Sequence, residues 1–112
     1  MNPETVAQRQ LDAYNNRDLQ RFAAQFSDDV QIFRLPATTP SMVGKPALRE
    51  HYASSRFNRP NLRAELLNRM VMGNKVIDHE RIHGVQDQPY EAVAIYQIVD
   101  GSIQTVWFLD AD

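Results

Sequence analysis

The sequence predicts an α+β protein, with helices first and then four antiparallel strands that curve around a pocket. Three observations predict it. Apolar residues recur at helical spacing in the first half, as in Leu19, Phe22, Ala23 and Phe26. From Leu62 onward the pattern changes to strand-type runs of large apolar residues. Turn signals then join those runs: Gly73-Asn74, the segment 84–89 and Asp100-Gly101.

In chain order, Pro3 suits a first helical turn, and Val6, Ala7, Leu11 and Tyr14 follow at helical spacing. Asn15-Asn16-Arg17 breaks that helix, and Asp18 is a good N-cap for a second one. Its apolar stripe is expected to run through Phe26 and to end at Ser27-Asp28-Asp29. Val30, Ile32 and Phe33 read as a short strand that stops near Pro36. Residues 35–44, with Pro36, Pro40 and Gly44, read as a loop: either a lid over a site or a passive surface connection. A third helix is expected from Lys45-Pro46, carrying Leu48, His51 and Tyr52 and fading before Pro60. The strands are then 62–72, 76–83, 90–99 and 103–109. The last two are apolar on both faces, so one face is expected to cover a core or pocket and the other a partner subunit.

A length of 112 residues suits one domain, 1–112, and leaves no room for two. With 43% hydrophobic and 23% charged residues, the composition is that of a globular protein. Net charge is −2 and the arginines are scattered, which argues against nucleic-acid or anionic-membrane partners. No cysteine is present, which excludes disulfides, thiolate catalysis and cysteine-based zinc sites. No leader pattern opens the sequence and no apolar run reaches membrane-spanning length, so a cytoplasmic protein is the expectation.

Several phrases in this order resemble one superfamily. They are Tyr14-Asn15-Asn16-Arg17-Asp18-Leu19 followed by Phe26-Ser27-Asp28-Asp29-Val30, and Gly44-Lys45-Pro46-Ala47-Leu48-Arg49-Glu50-His51-Tyr52. Val76-Ile77-Asp78-His79-Glu80-Arg81 with Gly84, then Ala94-Ile95-Tyr96 and Asp100-Gly101-Ser102-Ile103, complete the set. Together they resemble the nuclear transport factor 2-like superfamily, in its SnoaL-like and steroid delta-isomerase-like branch. The resemblance implies a cone-shaped, cystatin-like fold: three N-terminal helices on a curved, mainly antiparallel sheet, an apolar pocket between them, and commonly a homodimer across the outer sheet face. The superfamily includes non-enzymes, so fold alone does not give function. Ketosteroid isomerases of the superfamily use a Tyr and two Asp residues. This sequence has Gln10, Arg34 and Ala94 at the matching places, so that machinery is not expected here.

Side chains alternate along a strand, so Asp78 and Glu80 share a face with Val76 and Ile82, while His79, Arg81 and His83 share the other. The resemblance turns the Asp78 and Glu80 face toward the pocket. Two carboxylates held among apolar residues would raise at least one pKa and supply an acid or base. If that face meets solvent instead, the pair does nothing. His51 is the third catalytic candidate, as a proton relay to Asp78 or Glu80 or as a core histidine bonded to a carboxylate. An inward Arg34 would hold an anionic substrate or pair with Glu80; an exposed Arg34 would do neither. Tyr14, Phe57, Tyr96 and Phe108 complete the expected substrate wall. His51, Asp78 and Glu80 are the one set that geometry would allow around a metal, and neither a metal nor a cofactor is expected. The expected function is cofactor-free acid–base chemistry on a small hydrophobic molecule, by an isomerase, cyclase or hydrolase. The alternative is a non-catalytic ligand-binding or dimerisation module of the same fold.

Overall fold

The computed structural model describes residues 2–111. They run α1 (Pro3–Asn15), α2 (Leu19–Ala24), β1 (Phe26–Arg34), β2 (Met42–Val43), α3 (Lys45–Ser55), β3 (Arg63–Met72), β4 (Lys75–His83), β5 (Tyr90–Val99) and β6 (Ser102–Asp110). The sheet order is β2-β1-β6-β5-β4-β3. Every neighbouring pair is antiparallel except β1 with β6, which is parallel. Register shifts at Phe26/Gln31, Leu66/Asn68 and Gln97/Ile98 interrupt the ladders. An irregularity of this kind bends a strand and increases its twist, which helps the sheet to wrap.

The helices begin and end where local chemistry dictates. Asn2 Oδ1 accepts from the Glu4 N–H at 2.8 Å, with Pro3 in the first turn of α1. Arg17, at φ 53°, breaks the chain away from helix, and Asp18 Oδ1 then accepts from the Arg21 N–H to open α2. The first helix buries Val6, Ala7, Gln10, Leu11, Ala13 and Tyr14 along one face. Phe22 is fully buried. Removing such a side chain from water contributes up to about 3 kcal/mol. It packs in an aromatic cluster with Tyr14, Phe26, Tyr52 and Phe57, at centroid distances of 4.6 to 6.1 Å.

Two expectations need correction. Phe26 is not the end of the α2 stripe; α2 stops at Ala24 and Phe26 opens β1, paired with Ile103 of β6. The loop at 35–44 contains β2, whose two residues pair with Gln31 and Ile32 of β1.

Two local devices fix the end of the sheet that carries the site. The Asn15 side chain meets the Ala64 backbone twice: its Nδ2 donates to the carbonyl at 3.0 Å and its Oδ1 accepts from the N–H at 2.7 Å. That ties the end of α1 to the edge strand β3. Gly84, just after β4, has φ +82°, and a Cβ there would lie 2.2 Å from the Asn61 carbonyl oxygen. Only glycine allows this approach.

One face of the sheet is closed by the helices. In β4 the alternation is complete: Val76, Asp78, Glu80 and Ile82 are buried, and Ile77, His79, Arg81 and His83 are partly exposed on the other face. In register across the outer face lie Met70, Ile77, Ile95, Trp107 and Phe33, an apolar row through five strands.

Candidate functional site

On the helix-covered face, α1 and strands β3 to β6 leave a cavity of about 60 Å³. That is room for about four to six water-sized groups. Ala64 and Ala92 are the smallest residues of its wall. Its polar wall is Gln10 and Tyr14 from α1, Tyr52 from α3, Glu80 from β4, and Tyr90 and Tyr96 from β5. Arg34, Arg56 and Asp110 line it as well, with Phe108 beneath the Arg34 guanidinium at 5.1 Å. Arg34 and Asp110 are about half exposed and 3.7 Å apart, so they mark the mouth.

Glu80 is the decisive group. It is 6% exposed, and among the described residues it has neither a hydrogen bond nor an ion pair. Burial pushes its pKa up to about 8; the neighbouring Asp78 carboxylate adds to this and Arg69 opposes it. At neutral pH Glu80 is therefore mainly a neutral acid, with a proton to give and a carbonyl oxygen to accept. Burial also raises the pKa of Tyr14 and Tyr96, and pushes Tyr52 up to about 12, so these hydroxyls stay protonated. The Gln10 Oε1 is enclosed in the same wall and accepts no hydrogen bond. Satisfied polar groups are the rule in protein interiors, so an unmatched carboxyl on a cavity wall, as at Glu80, marks a place for a ligand or water.

The structure divides the residues expected from the sequence. Glu80, Tyr14, Tyr96, Phe108 and Arg34 share the cavity wall. Asp78 has the same strand parity as Glu80 but lies outside that wall. It is fully buried in a two-point pair with Arg69, Nε to Oδ1 at 2.7 Å and Nη2 to Oδ2 at 3.0 Å. Arg69 also donates to Gln8 Oε1 at 2.8 Å. Both Asp78 oxygens are thus engaged, which suits an anchor rather than a proton carrier. His51 lies in an adjacent hollow of about 200 Å³ with Ser41 and Met42, and makes no hydrogen bond or ion pair with Asp78 or Glu80 among the described residues. Its pKa is lowered by burial and by Arg56 and Arg34, which keeps it neutral. Phe57 is not on the cavity wall; it packs behind it on Tyr14, Phe22 and Tyr52. Arg34 meets Asp110 and not Glu80. Among the described residues no three His, Asp or Glu side chains cluster as a metal site would need.

Sequence reasoning missed Tyr52, Tyr90, Arg56 and Asp110. Strand parity offered a signal for two of them. Tyr90 shares the face of Tyr96, and Asp110 that of Phe108. Gln10 stood out in the sequence for replacing a tyrosine, but not as a wall residue.

The model of the SnoaL-like domain matches residues 7–106. The chain belongs to this SnoaL-like family. No curated protein matches the sequence. Solved structures share the SnoaL-like fold. An uncharacterised cystatin-fold protein from Novosphingobium aromaticivorans superposes with a TM-score of 0.85 at 22% identity, covering 96% of this chain and 97% of that one. A proposed ketosteroid isomerase from Kribbella flavida gives 0.82 at 19% identity, covering 98% and 78%. A computationally designed 17-OHP binder gives 0.83 at 14% identity, covering 96% and 91%. At these identities the likeness shows an α+β cystatin-like, nuclear transport factor 2-like fold with a mostly antiparallel sheet.

Proposed function

We propose that this SnoaL-like protein performs cofactor-free proton transfer on a small, largely apolar molecule bearing a carbonyl or hydroxyl group, with Glu80 as the acid–base group. The observation that carries this is the unpartnered Glu80 carboxyl, buried against the cavity with a pKa near 8. A catalytic acid or base works best when its pKa lies near the working pH. At pH 7 about a tenth of Glu80 is ionised, and that fraction is a stronger base than an ordinary carboxylate. In the proposed step Glu80 takes a proton from a carbon beside the carbonyl. A protonated tyrosine, Tyr14 or Tyr96, donates a hydrogen bond to the oxygen as charge develops there. Glu80 then returns the proton. Asp78 has no part in this step beyond its effect on Glu80, and neither His51 nor Phe57 contacts the substrate in the inner cavity.

The second reading is a binding protein with the same pocket, a use to which the designed 17-OHP binder puts a similar fold. Glu80→Gln separates the two. It keeps the size and the hydrogen-bonding capacity of the neutral acid but cannot transfer a proton. With a cyclic ketone or phenol selected by NMR screening, turnover is expected to vanish while binding persists. Equal turnover by wild type and Glu80→Gln would refute the catalytic role.

The outer apolar row through Ile77, Ile95 and Trp107 supports a homodimer across that sheet face. Sedimentation at micromolar concentration is expected to give a dimer for the wild type and a monomer for Trp107→Glu. A wild-type monomer would contradict the interface.

A further inference from the structure

The cavity wall carries two guanidinium groups, Arg34 and Arg56, and two carboxyl groups, Glu80 and Asp110. Asp110 is the one carboxylate near the mouth, engaged with Arg34 at 3.7 Å. Arg56 has no acidic partner among the described residues. Its Nη1 donates to the Ser55 carbonyl at 3.2 Å, which leaves most of its five N–H groups unused. With Glu80 neutral, two cations face one anion. A half-buried guanidinium lacking a counter-ion is costly unless something anionic supplies one.

Two further features fix the shape of what would bind. The enclosed Gln10 Oε1 lacks a donor, although its residue is only 6% exposed. The inner cavity is also too small for a large body. It shares Arg34, Tyr52 and Phe108 with the adjacent hollow of about 200 Å³ that holds His51. Bound molecules therefore have one polar end inside and space to extend past Arg34.

We propose that the natural ligand is a small carboxylate bearing a hydroxyl or carbonyl group, its carboxylate held by Arg56 with Arg34 and its other polar end directed to Gln10 and Glu80. A guanidinium meets a carboxylate through two parallel N–H donors, a geometry that an amide or ester does not reproduce. The inference rests on the same cavity as the proposed acid–base role and names its substrate class.

The test compares 4-hydroxybenzoate with 4-hydroxybenzamide at pH 6.5, by ¹⁵N NMR titration of the full chain. The acid is expected to bind at least about tenfold more tightly than the amide, in line with a charge-assisted hydrogen bond in a half-buried site. Binding of the acid should shift the Gln10 side-chain amide signal. Arg56→Met is expected to abolish the preference by weakening binding of the acid, and Arg34→Met to reduce it. Equal binding of acid and amide, no binding of either, or a preference that survives both substitutions would overturn the proposal. Measuring the Glu80 titration in the same samples separates the two ideas. A preference for the acid together with an ordinary Glu80 pKa removes the acid–base role and keeps the anion site. A raised Glu80 pKa without that preference does the reverse.

Discussion

Asp78 and Glu80 lie two residues apart on one strand face, yet their surroundings give them different chemistry. Asp78 meets both arms of Arg69 and is spent as an anchor. Glu80 meets no cation at close range, and its proton stays on. Arg69→Met leaves the Asp78 carboxylate buried without a partner, which is expected to cost about 3–5 kcal/mol in urea unfolding. Replacing both residues by apolar ones should recover most of that loss. A single-variant loss below about 1 kcal/mol would show that the pair is not an internal anchor. Asp78→Asn acts on Glu80 as well. It removes a carboxylate that raises the Glu80 pKa and frees Arg69, which lowers it, so the Glu80 titration is expected to move down. The sequence shows that Asp78 and Glu80 share a face because the alternation in β4 is unbroken. The partner of Asp78 was hidden, since the register shift at Leu66/Asn68 in β3 decides which residue lies opposite.

At the scale of elements, the β3–β4 end of the sheet is set by Asn15 against Ala64 and by the passage of Gly84 over Asn61. Gly84→Ala must accept both a positive φ and a backbone collision. It is expected to destabilise by at least about 2 kcal/mol in thermal or urea unfolding. Gly101→Ala, also at positive φ but with open space around its Cβ, should cost less. Equal losses would show that the contact with Asn61 is unimportant. Long, strongly patterned elements were legible in the sequence: α1, α3 and the four late strands lie within a residue or two of their expected places. The misses were short. Phe26 satisfies a helical i+7 position as readily as the first position of a strand. The strand β2 exists only because the β1 edge receives it. Which hollow His51 would reach was not legible, since that depends on how α3 sits across the sheet.

Across the whole molecule, a raised acid pKa is a statement about stability. In the unfolded chain Glu80 has its ordinary value of 4.5; in the folded chain it lies near 8. Between these the folded state holds one more proton than the unfolded state, so stability falls as pH rises from about 4.5 to 8 and levels off above. The loss attributable to this group is on the order of a few kcal/mol. Glu80→Gln should lack that slope and should exceed the wild type in stability at pH 8.5, as read from urea midpoints at pH 5.5 and 8.5. Parallel pH profiles would contradict the linkage. The same proton is the centre of the functional proposal, and it can be observed directly. In protein labelled at the glutamate carboxyl carbons, with Glu80 assigned by its absence in Glu80→Gln, an NMR titration is predicted to give a midpoint near 8. A midpoint in the ordinary carboxylate range of about 4 to 5 would contradict the acid–base role.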